Sequence, residues 1–263
     1  METTVQLKDD FQYQGITERL YTAEHPEIVR WAKFFTDRYK EAQIFEPITG
    51  IQHSDRRALL AVVSSLEWYR FSQFAPWFDC QSAAKVSDNK MRHYLIQIAF
   101  EELGMRDEKE IHCELFWETV KHLGISDDKK KLLQGLNGVS AALQYLATSL
   151  LAAKPDSEIL GMMLGFEIPA RENIETLLEC MSNNNEALKK KLAATKFFKI
   201  HRIIETEHIR LSVSNWLRFC KTEGERSDFI KGCDIGLNFW KQFWTQVNDT
   251  VTLIEKEQHA RPC

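Results

Sequence analysis

The stretch His201-Arg-Ile-Ile-Glu205-Thr-Glu-His208 sets two imidazoles and a carboxylate at steps of four and three residues. On an α-helix of 3.6 residues per turn, positions 201, 205 and 208 fall within about 60° of one another around the axis. Neutral imidazole and carboxylate together suit a borderline divalent metal, and two His with one acid is a ligand set of non-haem Fe(II) sites. The same spacing also serves a solvated helix face bearing two surface histidines. Which of the two it is depends on what the rest of the chain brings to it.

Outward from this stretch the chain reads as helix after helix. Its own segment runs from Asn185 to Cys220. Ile28 to Phe45 has apolar residues at 28, 29, 32, 35, 39 and 44, which is helical spacing. Arg57 to Phe78, rich in Leu, Val, Trp and Phe, is apolar nearly all round, as a central helix would be. Ser87-Asp88-Asn89 supplies an N-cap for a helix that stops at Gly104, and a second runs from Asp107 to a stop at Gly124. Val139 to Ala153, Ser157 to Met181 with an interruption near Pro169, and Phe229 to Lys256 complete the set. No strand alternation or internal repeat intervenes. Seven or eight helices with short connections predict an all-α, single-domain bundle over residues 1–263, with 1–22 and 257–263 peripheral.

Bulk composition excludes several classes. With 44% apolar and 27% charged residues the chain is ordinary for a soluble globular protein, and a net charge of −4 argues against a general nucleic-acid binder. No apolar run approaches the roughly 20 residues of a membrane span. The start, Met1-Glu-Thr-Thr-Val, lacks a secretory signal, so a cytoplasmic protein without a membrane partner is expected. The six cysteines (Cys80, Cys113, Cys180, Cys220, Cys233, Cys263) form no Cys-x-x-Cys pair and read as reduced core residues. Lys129 to Lys131 and Lys189 to Lys191 read as solvated helix ends.

Ionisable residues set in apolar helix faces need a partner, because an unpaired buried carboxylate is expensive. Three stand out besides the 201–208 stretch: Glu101 near the end of Tyr94-Leu-Ile-Gln-Ile-Ala-Phe-Glu-Glu102, His112 at the start of His-Cys-Glu-Leu-Phe-Trp117, and Glu167 in Gly161-Met-Met-Leu-Gly-Phe-Glu-Ile-Pro169. Glu102, or Glu108 four residues before His112, can stand in for Glu101. Singly, each has a bland role as a last-turn acid, a core histidine or an acid beside a helix break. Together with 201–208 they make enough donors for two metal ions. A ferritin-like di-iron bundle would show two Glu-x-x-His motifs, and this chain has one, Glu205-Thr-Glu-His208.

Phe100-Glu-Glu-Leu-Gly…His112-Cys-Glu-Leu-Phe116, Phe166-Glu167-Ile-Pro and His201-x-x-x-Glu205-x-x-His208 resemble, in order, the metal-binding segments of the haem-oxygenase-like di-iron oxidases and oxygenases, fold relatives of thiaminase II and pyrroloquinoline-quinone synthase. The resemblance implies a haem-oxygenase-like bundle and a ligand set of Glu101, His112, Glu167, His201, Glu205 and His208. One iron would take Glu101 and His112, the other His201, Glu205 and His208, with Glu167 as bridge. It implies two Fe(II) ions, with manganese as an alternative, and O₂ as co-substrate through a peroxo-bridged di-ferric species. The substrate would be a small amine or amino acid undergoing N-oxygenation or C–C cleavage, or a fatty acid undergoing decarboxylation. Trp68, Tyr69, Phe71, Phe74 and Trp77 fit core packing and also offer a pocket lining. A homodimer is left open.

Three other readings remain at this stage. A metal-free helical module would bind a partner, a thiaminase-like enzyme would use a cysteine nucleophile, and a haem oxygenase would need a proximal histidine near the N-terminus, for which His25 is available.

Overall fold

The computed structural model describes residues 26–51, 56–125 and 140–260. Eleven α-helices follow one another among them: α1 (Pro26–Ala42), α2 (Glu46–Thr49), α3 (Arg57–Lys85), α4 (Asn89–Glu102), α5 (His112–Val120), α6 (Ala141–Ala152), α7 (Asp156–Glu167), α8 (Ala170–Ser182), α9 (Glu186–Ala193), α10 (Lys196–Phe219) and α11 (Glu223–Ala260). Short 3₁₀ turns lie at Glu108–Glu110 and Lys121–Leu123, and the described residues contain no strand. The class is all-α, as periodicity predicts. None of the described helices is long and apolar enough to cross a membrane. His25, Lys129 to Lys131 and Cys263 lie outside the described residues.

The helix count exceeds the expected seven or eight because local breaks divide longer periodic runs. The Asn185 to Cys220 segment is two helices, parted where Thr195 takes extended backbone (φ −68°, ψ 157°). The Asp107 to Leu123 segment breaks at Ile111 (φ −56°, ψ 123°), so His112 becomes the first residue of α5. In the other direction, α3 continues past the expected end at Phe78 to Lys85, with Pro76 inside it. Proline lacks an N–H, so the Ser72 carbonyl loses its helical partner there.

Two helices form the centre. On α3, residues from Leu60 to Ala83 are buried on nearly every side, and on α7 every residue from Ser157 to Glu167 is buried. α11 packs on α7 at very short range. A Cβ on Gly165 would sit 2.1 Å from the Cys233 carbonyl oxygen, and one on Gly232 would sit 2.0 Å from that of Glu158. Only glycine permits that approach. It fixes the height of α7, and therefore of Glu167 at its end.

An aromatic layer joins α3 to α11. Trp68 stacks on Trp240 with centroids 5.6 Å apart, and Phe71 lies 4.9 Å from Trp240 and 5.3 Å from Phe166. Such pairs contribute about 0.5–1.5 kcal/mol each beyond their buried area. Trp240 Nε1 donates to the Phe166 carbonyl at 2.9 Å, which satisfies a buried indole next to Glu167.

Candidate metal centre

The end of α4 places the first two acids. Gly104 takes a left-handed conformation (φ 77°), and the Met105 N–H closes onto the Phe100 carbonyl at 2.8 Å. A side chain at Gly104 would collide with the Asp107 and Ile111 backbone, 2.5–2.6 Å away. The chain therefore reverses tightly, and the turn at 108–110 returns it so that His112 opens α5 beside the helix it has just left. His112 Nδ1 lies 3.1 Å from Glu102 Oε1. The partner is Glu102; Glu101 points elsewhere, and Glu108 is exposed on the turn.

The next ligands come from α10 and α7. His201 Nδ1 is 2.8 Å from the Phe197 carbonyl one turn earlier, so it acts as the donor and leaves Nε2 with its lone pair. The His201 ring lies 4.7 Å from that of His112. Nearly two helical turns further on, His208 sits between two carboxylates: Nδ1 is 3.1 Å from Glu167 Oε2 and Nε2 is 3.2 Å from Glu101 Oε2. Glu167 closes α7 because the chain breaks at Ile168-Pro169 before α8 begins. All three histidines are buried, which removes the solvated-face reading of 201 and 208.

Two groups result. Ligand atoms of Glu102, His112 and His201 lie within 4.8 Å of one another, and His208 gathers Glu101 and Glu167. The cavity between them is lined by Glu102, Glu167, His201 and His208 together, so both groups face one space. This grouping differs from the one the resemblance implies, which joins Glu101 to His112 and His201 to His208. Glu205 lies on α10 between the two histidines, and its side chain is outside the described residues.

The donor set fits a divalent metal. His112 Nδ1 is buried and makes no hydrogen bond despite its 3.1 Å contact with Glu102. An imidazole nitrogen and a carboxylate oxygen converge there, a pair that a proton or a cation between them would satisfy. The protonation states of Glu102 and His201 agree. Burial opposes the charge on Glu102, yet the adjacent His112 outweighs it and holds the carboxyl down to about 2. Burial, with His112 beside it, pushes His201 down to about 3. Ionised Glu102 and neutral His201 are in ligating forms, whereas on His112 burial is outweighed by Glu102, which favours an imidazolium that must lose its proton to ligate.

Away from these donors the cavity, about 40 Å³, is walled by Trp68, Phe71, Ala75, Phe166, Ile174 and Trp240. Trp68 and Phe71 thus belong both to the core and to the pocket. Phe74 packs on Trp77 and Phe78, and Tyr69 on Trp117. A wider surface groove of about 670 Å³ beside Lys241 and Asp249 has no histidine in its lining. Cysteine is absent from the described lining of the metal cavity, and burial pushes the Cys220 thiol up to about 12. Both facts count against a thiolate nucleophile.

Sequence reasoning passed over Asp79. It is 1% exposed on α3. Burial, then the Glu102 and Glu167 carboxylates, raise its carboxyl well above the usual range. The available signal was an acid between Phe78 and Cys80 on a helix buried nearly all round, one residue beyond the point where the helix was expected to end.

A family model described as iron-containing redox enzyme matches residues 65–241, a span holding every candidate ligand. Among solved structures, the chain is similar to a CADD-like protein of unknown function from Nostoc punctiforme, at 17% identity and TM-score 0.65 over 86% of this chain and 99% of that one. It is also similar to a domain of unknown function with a heme oxygenase-like fold from Shewanella denitrificans, at 14% identity and TM-score 0.63 over 89% and 97% of the two chains. No curated protein matches the sequence. The chain therefore belongs to the family of iron-containing redox enzymes and has a haem-oxygenase-like helical fold.

Proposed function

We propose that the chain is a non-haem di-iron oxidoreductase that uses O₂ to oxidise a small amine or amino acid, by N-oxygenation or oxidative C–C cleavage. One observation carries this reading. Glu102, Glu167, His201 and His208 line one cavity, His112 contacts Glu102 and Glu101 contacts His208, so side chains from four helices gather at one place. Glu205 is included in this proposal for its place along α10, four residues after His201 and three before His208. Two iron ions held there would supply the electrons that reduce O₂.

The chain's own residues do the rest. Glu102 stays ionised and His201 stays neutral at physiological pH, so neither must lose a proton before it ligates. The Phe197 carbonyl fixes the His201 tautomer, as a carbonyl commonly does for a ligating histidine. Trp68, Phe71, Phe166 and Trp240 exclude water from the side where substrate would enter.

A second reading is oxidative decarboxylation of a fatty acid, favoured by that same wall. Its polar groups are consumed within the protein: Ser72 Oγ donates to the Trp68 carbonyl and Trp240 Nε1 to that of Phe166. Anaerobic Fe(II) titration with metal analysis, followed by mixing with O₂ and a panel of amines, amino acids and fatty acids, tests both. Two irons per chain and substrate-dependent O₂ consumption are expected. Absence of iron uptake would overturn the proposal in favour of a metal-free partner-binding module.

A further inference from the structure

The ligands assigned so far leave α3 as a wall without a donor. α3 packs along α4 and against α8, and its Ser72 and Ala75 line the cavity that holds Glu102, Glu167, His201 and His208. Asp79 continues that line. It is four residues after Ala75 and seven after Ser72, so all three share one helix face. It is also 1% exposed, and its Oδ1 is buried without a hydrogen bond. The charged groups that act on it most strongly are Glu102, Glu167, His208 and Glu101.

A buried carboxyl normally has a hydrogen-bonding or cationic partner, since isolation costs several kcal/mol. Here the neighbours are three acids and a histidine, all in the candidate centre. None of the acids can neutralise it, and Asp79 lies on the helix face whose Ser72 and Ala75 line their cavity. A divalent cation would satisfy Asp79 and those acids together.

We propose that Asp79 is a further metal-holding side chain, contributing a carboxylate from α3 to a centre otherwise built from α4, α5, α7 and α10. The proposal rests on the metal-centre reading above and adds to it. It makes the central helix part of the coordination shell, so that α3 moves with the metal ions and is more than a hydrophobic spine.

The test uses Mn(II), whose free ion is counted directly by electron paramagnetic resonance, on the full chain purified without metal. Asp79→Asn keeps the shape and removes the negative charge. Its Mn(II) affinity is expected to fall at least about 10-fold at one site or more, the scale at which even outer-sphere partners of a metal act. Metal-free Asp79→Asn should unfold at the same denaturant concentration as wild type or higher, because the amide avoids burying an acid. Asp79→Ser serves if the amide variant does not fold, and Asp79→Glu should bind more tightly than Asp79→Ser by restoring the carboxylate. Wild type that binds Mn(II) while Asp79→Asn or Asp79→Ser binds it equally well would overturn this proposal and leave the metal centre standing. Wild type that binds no metal would overturn both.

Discussion

His208 Nδ1 lies 3.1 Å from Glu167 Oε2 across 41 positions of sequence, both groups buried. The other nitrogen of the same ring reaches Glu101. One imidazole therefore ties α10 to α7 and to α4, beside the candidate metal-binding group of Glu102, His112 and His201.

Removing that ring should leave the buried Glu167 and the half-buried Glu101 without their partner. His208→Gln is expected to destabilise the metal-free protein by about 3–5 kcal/mol, the usual cost of breaking a buried ion pair from one side. Urea unfolding of metal-free wild type and variant measures it. A loss below 1 kcal/mol, on the order of a surface pair, would mean the contact is incidental.

Acidification should separate wild type from His201→Gln. His201 is held at about 3 in the fold against an ordinary 6.5, so the unfolded chain binds the proton first. Its contribution is present above 6.5 and is lost as pH falls from there toward about 3. Glu102, at about 2 against 4.5, acts in the same direction lower down. His112, raised by Glu102 against the effect of burial, acts oppositely and loses its contribution as pH rises. The difference between wild type and His201→Gln isolates the first term. Stability of wild type should fall more steeply over that window, and parallel curves would show that His201 is not kept neutral by the fold.

Glu102 and Glu108 can be told apart by substitution. Glu102→Gln should weaken Fe(II) binding by at least about 10-fold in a chelator competition. Glu108→Gln, on an exposed turn, should leave it unchanged. Equal losses from the two would contradict the pairing of Glu102 with His112.

The α7–α11 contact gives a prediction on stability that reaches the site. Gly165→Ala inserts a methyl 2.1 Å from a backbone oxygen, so the helices must separate, at a cost of about 3 kcal/mol. Metal affinity should fall with it, because Glu167 is two residues away. Gly224→Ala, with open space at its Cβ, should be neutral or stabilising by up to about 1 kcal/mol. Calorimetry on the two variants checks the contrast.

The apolar spacing around Phe35, the all-round apolar run around Trp68 and the cap and stop either side of Leu95 were enough for the all-α class, because helix faces and helix ends are marked locally. The 201–208 stretch was legible for the same reason: its spacing is local and a single helix realises it. Choosing between Glu101 and Glu102 was not a local question. Neighbouring residues point about 100° apart on a helix, and only the turn through Gly104 and Ile111 decides which of them meets His112. Asp79 lay beyond sequence reasoning because a lone acid has no pattern, and what marks it is the set of acids that other helices bring to its face. Sequence alone therefore determined the helices and the donor types. Tertiary structure decided the groupings, since contacts between Glu102 and His112, or Glu167 and His208, depend on turn geometry and helix packing that no single-segment pattern encodes.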